Sequence, residues 1–280
     1  MVRISADSTC DLSSDIIKRF NIEILPLYII IDDKELRDGV DVTPSHIFKY
    51  VDSTGKLCKT AAAGVSDYYD LFSPLTSNGD SVVHINISSE FSVCHQNAVL
   101  AAGEFENVYL VDSRNLSTGS GHIVMEAAHM AEQGLPAGTI KQRLDELVNR
   151  VEASFVVERL DYLYKGGRCS SLAALGGNIL GLKPCIEVKD GKMGVGKKYR
   201  GSFDSALRKY VRDRLEGRDD IVYDRIFITH PACPPEIVDS VRKSVEEYGD
   251  FKEIIETHAG CTISNHCGPY TLGILFIRKE

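Results

Sequence analysis

Ser81-Val82-Val83-His84-Ile85-Asn86-Ile87 runs directly into Ser88-Ser89-Glu90-Phe91-Ser92, and Gln96-Asn97-Ala98-Val99-Leu100-Ala101-Ala102 follows. The first stretch reads as a buried strand, the last as a helix, and the hydroxyl residues fall between them. The same grammar occurs where Val2-Arg3-Ile4-Ser5-Ala6 enters Asp7-Ser8-Thr9, and where Val108-Tyr109-Leu110-Val111 enters Asp112-Ser113. In a parallel sheet the carboxyl end of each strand meets the amino end of the next helix. Free N–H groups and the helix dipole favour an anion in that crevice. The pattern predicts a parallel α/β unit arranged around an anionic ligand.

Working outward, Asp11-Leu12-Ser13-Ser14-Asp15 caps a helix over 16–20, and further strand runs from Ile22 to the Asp32-Asp33 turn. Thr43-Pro44-Ser45 opens a helix through Tyr50, because proline suits the first helical turn. Helices are expected over 65–72, 119–133 and 137–150, the last amphipathic through Ile140, Leu144, Leu147 and Val148. Repeated βα units with right-handed crossovers predict a mostly parallel sheet flanked by helices. After a strand at 153–157 the pattern changes. Gly166-Gly167-Arg168 forms a turn, Ser170 to Gly177 reads as a small-residue helix, and Asp190-Gly191 closes a hairpin between strands near 184–188 and 192–197. Strands at 225–229, near 254 and at 272–277, with a helix over 235–248, complete a second, smaller α/β domain. The expected boundary lies near residue 150, giving domains 1–150 and 151–280.

The chain has 280 residues, 43% of them apolar, enough for the core of two domains. Its formal charge of −8 opposes a nucleic acid partner, which requires clustered Lys and Arg. No apolar run approaches the roughly 20 residues that span a bilayer. The first residues turn acidic at Asp7 where a signal peptide stays apolar, so a cytoplasmic protein is expected. The eight cysteines are scattered, and buried thiols are expected rather than disulfides. His258, Cys261, His266 and Cys267 are the one candidate metal cluster, but adjacent His-Cys chelates poorly and no CxxC accompanies it, so no metal is expected.

Thr60 precedes Ala61-Ala62-Ala63-Gly64, small residues that let a ligand approach the backbone. Ser88, Ser89 and Ser92 are placed either to cap the following helix or to donate to a ligand oxygen. Asp112-Ser113 and Ser117 to Gly121 carry the same two readings. Arg168, behind two glycines, is a candidate carboxylate partner or a surface arginine. His266, before Gly268-Pro269, is a candidate donor to the same anion or a structural hydrogen bonder. No Gly-x-Ser-x-Gly elbow supports a serine hydrolase.

Taken together, Asp7-Ser8-Thr9-Cys10-Asp11-Leu12, Ile87-Ser88-Ser89-x-x-Ser92, Val111-Asp112-Ser113, Leu160-Asp161-Tyr162-Leu163-Tyr164-Lys165-Gly166-Gly167-Arg168, Lys183-Pro184, Arg200-Gly201 and His266-x-Gly268-Pro269 resemble the DegV family across essentially the whole chain. That family comprises fatty-acid-binding proteins that serve as the lipid-carrying subunit of bacterial fatty acid kinase. The resemblance implies two α/β domains with a long-chain fatty acid between them, the second domain covering the acyl chain. It implies a carrier without catalytic residues or cofactor, a separate kinase that phosphorylates the carboxylate to an acyl phosphate, and transient membrane contact. By resemblance, Thr60 and Ser92 hold the carboxylate, with Ser89, Arg168 and His266 close by. Arg200 with Lys197 and Lys198 is a candidate for the kinase face, with a solvated basic turn as the favoured alternative. The chain departs from the family pattern at both hydroxyl sites. Thr60-Ala61-Ala62-Ala63-Gly64 replaces a Thr-Ser-x-Pro-Ser segment, and Ser92-Val93-Cys94 replaces Ser-Gly-Thr. A rival reading is a phosphotransfer enzyme or binding protein for a small phosphorylated metabolite, since the fold also resembles the substrate subunit of dihydroxyacetone kinase. A regulatory or adaptor role is a third. The interior of the pocket separates the first two: a long apolar tunnel suits a lipid, a short polar one a sugar phosphate.

Overall fold

The computed structural model describes residues 1–169 and 181–280. The helix expected over Ser170 to Gly177 lies outside them. Along the chain the elements are β1 (Val2–Asp7), α1 (Ser14–Arg19), β2 (Glu23–Leu25), β3 (Tyr28–Ile31), β4 (Lys34–Arg37), α2 (Pro44–Thr54), β5 (Lys59–Ala61), α3 (Val65–Thr76), β6 (Ser81–Asn86), α4 (Cys94–Ala102), β7 (Val108–Asp112), α5 (Thr118–Glu132) and α6 (Ala137–Leu147). The later part contributes β8 (Val151–Val157), α7 (Asp161–Gly166), β9 (Leu182–Lys189), β10 (Lys192–Arg200), α8 (Phe203–Leu215), β11 (Ile221–His230), α9 (Pro235–Tyr248), β12 (Glu253–His258), α10 (Cys261–Cys267) and β13 (Thr271–Arg278).

The expected parallel sheet is present, in the order β2-β1-β6-β7, with every neighbouring pair parallel. β6 is buried along nearly its whole length, which requires cover on both faces, and helices α3, α5 and α6 supply it. The apolar run Val82-Val83-His84-Ile85 is what such a strand needs. The second sheet is larger than the first, in the order β10-β9-β8-β13-β11-β12, and antiparallel except for the β11–β12 pair. Helices α8 and α9 pack together against it.

Two elements join these sheets. Helix α5 packs against β1 and β6 of one and β8 and β13 of the other, so its first turns are buried on every side. Its Thr118-Gly119-Ser120-Gly121 start permits that closeness, since a Cβ on Gly121 would lie 2.8 Å from the Cys10 carbonyl oxygen. Helix α10 crosses in the other direction. It packs on α2, α7 and a small third sheet of order β4-β3-β5, where Cys261 joins Ile29, Val42, Ile47 and Cys58 in one apolar cluster.

Two buried carboxylates hold the amino end of α10. Asp38 accepts from the Cys261 and Thr262 amides (2.8 and 3.0 Å) and from the Thr262 hydroxyl (2.7 Å). Asp11 accepts from the Gly260 amide (2.8 Å) and the Ser117 hydroxyl (2.5 Å). Their oxygens satisfy orphan N–H groups at the helix amino terminus. Burial, with Asp38 as a neighbouring like charge, pushes Asp11 up to about 8.

Candidate functional site

A cavity of about 360 Å³ opens where α10, the 87–93 loop, β5 and the start of β10 converge. It lies at the carboxyl end of β6, as the strand–hydroxyl–helix pattern predicts. Of the three such junctions, the one at Ser88–Ser92 lines it. The other two serve structure. Asp7 is buried and accepts from the Ile87 amide, the Tyr68 hydroxyl and the Asn86 amide. Ser113 is buried and bonded to the Asn115 carbonyl and Ser120.

Thr60, Ser89, Ser92, Arg168 and His266 all line this cavity. Thr60 and His266, 206 residues apart, meet directly, with Oγ1 and Nε2 3.0 Å apart. Burial, and secondarily the charge of Arg168, lowers the His266 pKa to about 4, so the ring is neutral near pH 7. Its Nδ1 is buried and has no hydrogen-bond partner among the described residues. A proton on Nε2 leaves only a lone pair unsatisfied at Nδ1. Thr60 then accepts from the imidazole, and its own hydrogen is left to point into the cavity.

The Gly-Gly-Arg turn has a local logic. A Cβ on Gly166 would lie 2.5 Å from His266 Nδ1, so glycine is what lets α7 approach the imidazole. Gly167 ends α7 in the left-handed region at φ 69°, which favours glycine. The chain then returns so that Arg168 Nη1 donates to the Gly166 carbonyl (2.8 Å), holding an exposed guanidinium at the rim.

The serines divide their roles. Ser89 donates to Asp112 (2.6 Å). Ser88 is fully buried and donates to the Gly191 carbonyl (2.9 Å), fastening the β9–β10 hairpin to the loop. Ser92 accepts from the Cys94 amide at the start of α4 and donates to the Cys94 sulfur (3.0 Å). Thiol sulfur is a weak acceptor, so this hydroxyl can turn to a carboxylate at little cost.

The rest of the wall is mainly apolar and includes Leu27, Ile87, Phe91, Val93, Leu116, Met193, Ile263 and Cys267. Sequence reasoning misses these residues, because an apolar residue facing a cavity and one facing the core carry the same signal. Thr262 also reaches the cavity, but its hydroxyl is committed to Asp38.

All eight cysteine side chains are buried, and burial pushes Cys267 up to about 12. Among the described residues the cluster with metal-ligand spacing is His230, Glu256 and His258, not the sequence cluster around Cys261. His230 Nδ1 accepts from the Cys233 amide, so Nε2 carries the proton and donates to Glu256, which also pairs with Arg242. His84 touches both Ser5 and Asp7, but all three are buried and none lines the cavity. Lys197 pairs with Asp213 (2.6 Å). Among the described residues no helix is long and apolar enough to cross a membrane.

A parallel-sheet crevice whose interior is apolar and whose rim carries hydroxyl, imidazole and guanidinium groups defines a pocket for an amphiphile with an anionic head. The chain belongs to the DegV family, whose profile, described as that of an uncharacterised protein, matches residues 1–279. A DegV domain-containing protein of Clostridium acetobutylicum is 33% identical over 281 residues, covering 99% of each chain. Among solved structures, a DegV family protein from Thermus thermophilus described for its fatty acid binding superposes with a TM-score of 0.90 at 28% identity, covering 99% of each chain. A stearic acid-binding protein from Eubacterium ventriosum superposes with a TM-score of 0.84 at 27% identity, covering 100% of this chain and 99% of its own.

Proposed function

We propose that this protein binds a long-chain fatty acid, with the carboxylate at Thr60 and Ser92, and presents it to a separate kinase that forms the acyl phosphate. The observation that carries the reading is the union of an apolar interior with the Thr60–His266 pair and Arg168 in one cavity. A phosphorylated sugar would need polar partners along its length, and this wall offers few. The fatty acid binding described for the Thermus thermophilus relative supports the same reading.

The tail dominates the affinity. Burial contributes about 0.8 kcal/mol per methylene, so roughly fifteen methylenes give on the order of 12 kcal/mol before ordering costs. Hydrogen bonds to the carboxylate add about 1.5–3 kcal/mol each and fix its orientation. Arg168, exposed at the rim, supplies positive charge where the head group meets solvent and a phosphate donor arrives. On this reading the protein holds and orients the acid, and the chemistry belongs to the partner.

The deciding experiment is mass spectrometry of purified protein, intact under native conditions and again after organic extraction. A stoichiometric long-chain acid in the extract is expected. Protein that emerges empty and takes up neither oleate nor palmitate rules the reading out.

A further inference from the structure

Below the main cavity lies a second, much smaller one of about 30 Å³, and Leu116, Ile263 and Cys267 line both. These side chains form a partition between the two chambers. The small chamber lies against β8, β13 and the end of β11, with Ala153, Ala259 and Gly273 among its walls. Four hydroxyl residues also border it, and each has a partner. Ser117 donates to Asp11, Ser154 bonds the Tyr210 hydroxyl, Thr229 bonds Thr118 and Thr257, and Thr271 donates to the Cys267 carbonyl. With those hydroxyl protons committed, a water there would find few of the two to four polar partners that hold buried water in place. The chamber suits only a hydrocarbon end, and unfilled it forfeits dispersion contacts along its walls.

Resting on the fatty acid reading, we propose that this chamber receives the terminal methyl of the acyl chain and that Leu116, Ile263 and Cys267 form a gate that selects chain length. An acid that ends above the partition leaves the chamber empty. One that passes it gains about fourfold in affinity for each methylene buried. One that is longer still meets the packed β8–β13 pair, where a Cβ on Gly273 would already lie 2.6 Å from the Ser154 carbonyl oxygen, and loses affinity.

The test is competitive binding of saturated acids from lauric to arachidic, read by native mass spectrometry on the full-length wild type and two variants. Ala259→Val fills the chamber and is expected to move the optimum to a shorter acid. Leu116→Ala opens the partition and is expected to move it to a longer one. The two variants change packing in opposite senses, so a general loss of stability cannot produce both shifts. Acids bound with the wild-type optimum in both variants overturn the gate and leave the fatty acid reading standing. A wild type that binds none of the acids overturns both.

Discussion

At the scale of single residues, His266 is the hub of the proposed head-group site. Its neutral ring orients Thr60 and abuts Gly166. Replacing both proposed donors, Thr60→Val with Ser92→Ala, is expected to weaken fatty acid binding at least roughly 100-fold, from two lost charge-assisted hydrogen bonds. Titration with a fluorescent acid checks this, and unchanged affinity removes both residues from the site. Gly166→Ala leaves every donor in place but drives a methyl into the imidazole, so weaker binding there would trace to the ring's position alone. The folded pKa of about 4 lies below the ordinary histidine value of 6.5. Between those values the unfolded chain binds a proton that the folded one refuses. Stability therefore falls as pH drops from about 6.5 to about 4, by on the order of 3 kcal/mol from this group. Buried His122, lowered to about 3, acts in the same direction, so the measurement is a difference. Urea midpoints for wild type and His266→Gln at pH 7 and 4.5 should show a smaller acid loss in the variant. The polar residues that line the cavity were legible because Thr60 before small residues, the serine cluster, Gly-Gly-Arg and His266 all stand out from an apolar background. Leu116, Met193 and Ile263 were not, since nothing in a sequence separates a cavity wall from a core.

Among elements, legibility followed length and locality. The parallel half shows plainly because strands such as β6 and β7 are continuous apolar runs followed by helical patterns. The β3–β4–β5 sheet does not, because its strands are only 3–4 residues long and β5 pairs with β3 across an intervening helix. Helix α8 has a readable stripe in Phe203, Leu207, Tyr210 and Val211 that a search for strand–helix alternation passes over. Helix α10 is a different matter. Its 7 residues hold cysteines, a serine and an asparagine, and isolated it would not persist. Asp38, bonded to its first amides, makes it a helix. Asp38→Asn places an N–H₂ group where amide and hydroxyl donors converge, and should cost about 2–4 kcal/mol. Chemical denaturation gives the stability loss, and the same variant should bind fatty acid more weakly because α10 carries Ile263, His266 and Cys267.

For the whole molecule, one apolar cluster contains Val83 and Ile123 from the earlier part of the chain and Phe155, Phe227 and Leu275 from the later part. Helix α5 is packed on both sheets, so neither sheet keeps its core if the other unfolds. A single calorimetric transition is expected, with calorimetric and van't Hoff enthalpies in agreement. Two resolved transitions would mean that 1–150 and 151–280 are independent folding units, as the change of pattern near residue 150 suggests when the sequence is read alone.

The clamp on α10 also sets an order in time. Asp38 and Cys261 are separated by 223 residues. At about 5–20 residues per second a ribosome needs roughly 11–45 s to make that stretch. Throughout that interval the parallel sheet can assemble, but Asp11 and Asp38 still face water and the wall bearing His266 does not exist. A nascent chain therefore lacks the complete proposed head-group site until α10 docks. On the proposed reading, loading with a fatty acid is expected of the finished protein only.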